Sequence, residues 1–312
     1  MAVYLRRVVC QPSSPTAALP TTMESRMAQQ LDFFANRVAM LATMHRKEQA
    51  IAPLLESHLG VSVAVPADFD TDAFGTFTGD VKRPSDQLTT ARLKAAAVLR
   101  QTGESLAIAS EGSFGPHPQI PFIACDRELV LLIDRTHQLE IVGECLSTDT
   151  NYRSQVIHSP AEALVFAESV GFPQHGLVVK GGEADDHILG KGITDADKLL
   201  AIVEMTLSQS PQRAARLETD MRALYNPTRM AVIAQATEDL VRAIARSCPD
   251  CGCPGFSLVK QFPGLPCSLC GTPTLLTLTQ LYRCQRCQFE QRLPGDHGFS
   301  AADPSYCPYC NP

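Results

Sequence analysis

Two periodicities run along residues 36–210. Short apolar runs at 38–42, 61–65, 106–109, 129–134, 139–144 and 176–179 read as buried strands, while helical spacing marks 53–59, 86–102, 161–170 and 195–207. Gly60 and Gly103 stand where helices should stop. Pro53 fits best in a first helical turn, which leaves 45–50 as a loop after the first strand. In 86–102 the residues Leu88, Ala91, Ala95, Val98 and Leu99 share one face, and Arg92 and Lys94 fall on the other. Strands interleaved with helices in this way predict an α/β domain of three layers built on a mixed sheet, spanning 36–210.

A helical connector follows at 211–247. Asn226 offers an N-cap and Pro227 a first-turn proline, and Met230, Ile233, Leu240, Val241 and Ile244 then recur at helical spacing. Just upstream, Arg213, Arg216, Glu218, Asp220, Arg222 and Arg229 crowd around Tyr225. The spacing allows a solvated helix face or an ion network facing another domain or a ligand. Residues 1–35 have another texture: up to Met23 they hold arginines but no acid among Pro, Ser, Thr and Ala, which reads as a disordered leader. Met23 or Met27 is then a candidate start.

Cysteine changes the picture most. Of 12 in the chain, nine lie at or after Cys248, and eight of those form the pairs Cys248/Cys251, Cys267/Cys270, Cys284/Cys287 and Cys307/Cys310. Two intervening residues let a tight knuckle aim both thiolates at one tetrahedral metal, and two knuckles close a four-sulfur site. Residues 248–312 therefore read as a module of two structural zinc sites. Cys267/Cys270 with Cys284/Cys287 is the favoured pairing, leaving Cys248/Cys251 to Cys307/Cys310; pairing of sequential neighbours is the other arrangement. A disulfide framework is disfavoured because no signal-peptide apolar region precedes it, and an iron–sulfur run would be spaced differently. Reduced thiols imply a cytoplasmic protein.

Charge narrows the partners. The 312 residues carry a formal charge of −6, and 248–312 holds four basic against four acidic residues, so nucleic acid is not an expected partner. No apolar run approaches the roughly 18 residues a membrane-spanning helix needs.

Three loops offer chemistry. Thr43-Met-His-Arg-Lys47 follows the first strand, where ligands of α/β folds bind and a lysine can reach phosphate. Ser110-Glu-Gly-Ser-Phe-Gly-Pro-His-Pro118 presents Glu111 on a glycine-bearing backbone, which suits a Mg-bound phosphate, and adds His117 as a base, a stacking group or a turn residue. Lys180 and Lys191 flank glycines and acids in the third, between 179 and 192, without a Walker pattern. Asp68, Asp70 and Asp72 form a further acidic loop.

These motifs carry two resemblances. The segments Leu41–Glu48, Asp70–Thr78, Ala109–Pro118, Asp220-Met-Arg222 with Tyr225–Met230, and the terminal Cys310-Asn-Pro312 resemble an uncharacterised bacterial family of unknown function, over most of the chain from residue 36. More distantly, the order strand-Thr43-x-x-x-Lys47, Ala91-Arg-x-x-Lys94-Ala, strand-Ser110-Glu111-Gly112 and a later Gly-Lys-Gly is similar to the inosine/xanthosine triphosphatase branch of nucleotide pyrophosphatases, over 36–210. That likeness implies phosphate contacts from Lys47 and Lys94, a metal-binding carboxylate at Glu111 with Asp86 as a second acid, and Mg as cofactor. The chain departs from it where Pro53 interrupts the helix after Lys47 and where Gly-Ser follows the glutamate. Two functions follow: a Mg-dependent nucleotide hydrolase acting on a nucleotide or phosphorylated small molecule, or a non-enzymatic module that binds a ligand, or a protein through its zinc ribbons. Convergence of Lys47 and Glu111 with Lys180 or Lys191 in one cleft would favour the first, and scatter would count against it.

Overall fold

A computed structural model of the chain describes residues 33–71, 85–182 and 187–312. It is a mixed α/β structure with three sheets. The first has the order β2-β1-β3-β4-β5, with β1 (Val38–Ala42) parallel to β2 (Ser62–Ala64) and to β3 (Leu106–Pro116), and with β4 (Ala124–Asp134) and β5 (Leu139–Ser147) added antiparallel. Alternation along β3 sets the layers. Leu106 and Ile108 join the core beneath α1 (Glu48–Leu59), and Ala107 and Ala109 join the core beneath α2 (Gln87–Thr102) on the opposite face.

The last helix, α5 (Pro227–Ala245), completes the first of these layers. Its Val232, Ile233, Ala236, Leu240 and Ile244 are buried on the same core as α1, against β4 and β5. Close approach requires Gly143 on β5, where a Cβ would press into the backbone of Ala236 and Leu240. Backbone cannot swing aside as a flexible side chain can. Gly143→Ala is therefore expected to destabilise the protein by about 1–3 kcal/mol or more, read as a lowered urea midpoint with the slope unchanged.

The segment read as one domain divides between two sheets. Residues 154–219 form a second, antiparallel sheet of order β6-β9-β7-β8, made of β6 (Ser154–Ile157), β7 (Leu177–Lys180), β8 (Ile188–Ile193) and β9 (Ala215–Thr219). With α3 (Pro160–Ser169) and α4 (Ala196–Gln209) it has its own core around Phe166, Leu177, Val203 and Leu217. The third sheet is the small meander of β10 (Ser257–Pro263), β11 (Thr277–Arg283) and β12 (Glu290–Pro294) in the cysteine-rich segment.

Two local expectations are corrected. Helix α1 starts at Glu48, directly after Lys47, and runs through Pro53. A proline there forfeits one helical hydrogen bond and costs about 3 kcal/mol, but Ile51, Leu55 and Leu59 are buried on the sheet, each contributing about 1.5–3 kcal/mol. Burial wins. Likewise Ser110 to Pro116 is strand and not loop, because β3 pairs with β4 along its whole length. Of the acidic loop, Asp68 and Asp70 are exposed and Asp72 lies outside the described residues, as do residues 1–32 of the leader, whereas Phe34 at its end is buried in the core instead of disordered. Among the described residues, no helix is long and apolar enough to cross a membrane.

Candidate functional site

The eight knuckle cysteines form two tetrads, Cys248/Cys251/Cys284/Cys287 and Cys267/Cys270/Cys307/Cys310, with all ligand atoms in each within 4.8 Å of one another. First joins third, and second joins fourth. This corrects both the favoured pairing and the sequential one. The reason is strand direction: β10 and β11 are antiparallel with Ser257 opposite Arg283, so the knuckle before β10 meets the knuckle after β11. At the other end of the hairpin, a bridge between Cys267 and Ala302 draws in the last knuckle. Sulfur separations of 3.7 and 3.6 Å in the first tetrad and 3.9 and 3.6 Å in the second match the roughly 3.8 Å edge of a tetrahedron with metal–sulfur bonds of about 2.3 Å. Both tetrads could hold a metal such as zinc.

The tetrads differ in setting. Cys248 and Cys284 belong to the core beneath α5, with Cys253, Phe256 and Tyr282. Gln285, at the tip of the third knuckle, exchanges two hydrogen bonds with the Glu140 backbone at 2.6 and 3.1 Å. The second tetrad instead turns Leu269 and Tyr309 to solvent.

A second constellation lies where β3 outruns β1. The β1 pairing ends at Ala42 opposite Ala109, so from Ser110 onward β3 has no neighbour on that side among the described residues. This is the carboxyl end of β1, the rim at which α/β sheets bind ligands. Lys47, buried at the entry to α1, sends its ammonium to Ser110 Oγ at 2.9 Å. Burial, then the neighbouring Arg229, pulls the Lys47 ammonium down to about 7. On the α2 face, Lys94 is ion-paired with Glu111, and both are buried. The expected polar side of α2 thus supplies a buried lysine. On the α5 face, Arg229 donates through Nε to Glu128 Oε1 at 2.7 Å and through Nη1 to the Met221 carbonyl, with both charged side chains fully buried. Asp126 stands beside Glu128, and burial, then the Glu128 charge, raises its carboxyl to about 9. Gly112 is required between them, since a Cβ there would strike the Glu128 carboxylate and lie 2.6 Å from Arg229 Nη2.

Helix α5 places Arg229 through its cap. Asn226 Oδ1 accepts from the Arg229 amide at 3.0 Å, and its Nδ2 donates to Asn151 Oδ1 at 2.8 Å in the link between the two large sheets. Beside the cluster, the Arg229 guanidinium lies 5.2 Å from the Phe114 ring, which stacks at 5.7 Å on Tyr152. The charges around Tyr225 are likewise paired: Arg222 bonds Asp220 at 2.6 Å and covers the Tyr225 ring. An ion network between sheets, rather than a solvated face, describes Asp220, Arg222 and Arg229.

The other expected site residues lie elsewhere. Asp86 is exposed and caps α2 by accepting from the Thr89 amide at 3.0 Å. His117 sits in the β3–β4 turn, where Nδ1 accepts from the amides of Gln119 and Ile120 at 3.2 Å, so the proton belongs on Nε2. Lys180 ends β7 and pairs with Glu218 at 2.9 Å on β9, and Lys191 lies in β8. The rim thus gathers Lys47, Lys94 and Glu111, whereas Lys180 and Lys191 belong to the second sheet. Asp126, Glu128 and Arg229 were not expected, although Asp126-Arg-Glu128 leads into an apolar strand with both acids on one face.

The model of a family described as a domain of unknown function, DUF6671, matches residues 94–312. The chain belongs to that family. The DUF6671 match takes in Lys94, Glu111, Asp126, Glu128, Arg229 and all eight knuckle cysteines, while Lys47 precedes it. No curated protein matches this DUF6671 chain significantly.

Proposed function

We propose that the protein is a metal-dependent hydrolase of phosphorylated substrates, with a nucleotide as the first candidate, and that its cysteine tetrads hold two structural zinc ions. The observation carrying the first part is Lys47 at the end of β1, whose charge acts on Lys94 and Glu111 on one face of the sheet and on Arg229, Glu128 and Asp126 on the other. Cations held in a low-dielectric rim by fixed partners act strongly on a phosphoryl group and need little reorganisation. Lys47 would receive a non-bridging oxygen, and Glu111 would accept a proton from the attacking water while Lys94 fixes its orientation. Water oxygen then bonds to phosphorus, the phosphoanhydride P–O bond breaks, and its electron pair leaves with the departing phosphate. Mg, when bound with the substrate, would shield oxygen charge. The Tyr152 and Phe114 rings beside the cluster suit a nucleobase, because any base can stack on an aromatic face.

Zinc is favoured for the tetrads by four thiolates at tetrahedral separations and by the absence of an open position in a closed four-sulfur set. Such ions stabilise and do not catalyse.

The test is phosphate release from canonical and deaminated nucleoside triphosphates by zinc-loaded protein with Mg. Turnover that falls by about 100-fold or more in Lys47→Ala and Glu111→Gln is expected. Silence across the panel from folded protein holding both zinc ions would overturn the reading.

A further inference from the structure

Asp126 and Glu128 alternate onto the same face of β4, toward α5. Asp126 is 1% exposed, and neither of its carboxylate oxygens has a hydrogen-bond donor. Glu128 is 0% exposed; Oε1 is taken by Arg229, while Oε2 is buried without a donor. Buried carboxylate oxygens without partners are expensive, and neighbouring charges of one sign add to the cost. Lys47 acts on them through its charge alone, since its ammonium is hydrogen-bonded to Ser110. Glu111 differs, its carboxylate being held by Lys94, and Asp86 is occupied as a helix cap.

We propose that Asp126 and Glu128 are the protein ligands of a divalent-cation site of the Mg/Mn class, with Asp126 binding through its carboxylate and Glu128 through Oε2. Hard cations of this class take one or two carboxylates and complete their shell with water and substrate phosphate oxygens, so two acids suffice. Arg229 is then a positioning residue: by holding Oε1 it fixes which Glu128 oxygen is offered. Once a divalent ion displaces the Asp126 proton, three carboxylates face three cations and the ion leaves a positive site, which agrees with a phosphorylated partner. The proposal deepens the hydrolase reading and moves the cation from Glu111 and Asp86 to β4.

The test is Mn2+ titration of zinc-loaded, full-length protein without substrate, followed by the loss of the free-ion electron paramagnetic resonance signal. Thiolate tetrads filled with zinc do not compete for this hard ion. One Mn2+ per chain is expected, with affinity weakened by roughly tenfold or more in Asp126→Asn and in Glu128→Gln. Asp86→Asn and Glu111→Gln should bind as the unaltered protein does. Because Asp126→Asn keeps shape but alters a buried carboxyl, its fold is checked by circular dichroism, and Glu128→Gln gives an independent reading. Absence of binding, or binding that survives Asp126→Asn and falls in Glu111→Gln, overturns the proposal. Binding that depends on Asp126 in a protein that hydrolyses no nucleotide keeps the cation site and removes the hydrolase reading. Mg-dependent hydrolysis with Mn2+ binding indifferent to both β4 acids does the reverse.

Discussion

Cys284→Ser should lower the stability of the whole α/β body, whereas Cys270→Ser should release one metal and leave the main unfolding transition nearly in place. Both changes break a four-sulfur set, so a purely local account predicts equal effects. The packing predicts otherwise. Cys284 and Cys248 lie in the continuous core that contains Leu240, Ile244, Phe256 and Ile141, and Gln285 ties the same knuckle to β5. The second tetrad has no member in that core, and its knuckle tips face water. Zinc binding in small modules is worth roughly 10–16 kcal/mol of apparent folding free energy at neutral pH. Losing it where the module joins the core therefore threatens the 5–15 kcal/mol that typically holds a domain together. Calorimetry with metal analysis separates the cases: each variant should retain about one zinc per chain, and only Cys284→Ser should shift the main transition by many degrees. Equal shifts would mean that the first tetrad is no better anchored than the second.

Arg229→Ala should cost about 3–5 kcal/mol, the usual penalty for removing one partner of a buried ion pair. Three losses coincide there. Glu128 keeps a buried charge without its guanidinium, Asp126 loses a nearby positive charge, and the Met221 carbonyl loses a donor. A double variant separates this stability effect from function. Arg229→Met combined with Glu128→Leu replaces the pair by apolar side chains and should recover much of the lost stability, as buried pairs exchanged for well-packed apolar residues often do. It should still bind no Mn2+ and hydrolyse nothing. Denaturant melts of the single and double variants check the first statement, and a double variant no more stable than Arg229→Ala would show that the pair also specifies the packing of α5 on the sheet.

Local signals made much of this architecture legible. Asp86 and Gly103 bracket α2 as its cap residues should, and Asn226-Pro227 opens α5. The cysteine spacing likewise announced two four-sulfur sets. What stayed hidden depended on distant partners. The apolar pattern of β3 ends at Ala109, yet the strand continues to Pro116 because its inward positions there are filled by Ser110, Gly112 and paired charges instead of aliphatic side chains. Pro53 marks a helix start only when nothing else holds the turn before it, and Ile51 holds it from the core. Knuckle pairing follows from the direction of the hairpin between the knuckles, which spacing alone does not encode. The importance of Arg229 could be read only after α5 was laid against β4, although the crowding of charge before that helix had marked the region.

The central claim is that the rim of β3 and β4 receives a phosphorylated ligand. Its most direct test is calorimetric titration of zinc-loaded protein with a non-hydrolysable nucleoside triphosphate analogue in Mg buffer, on the unaltered chain and on Lys47→Ala. Binding of one analogue per chain, weakened by about tenfold or more in Lys47→Ala through loss of a charge-assisted contact, is the result this account predicts. No heat of binding, or equal affinity in the two proteins, would contradict it.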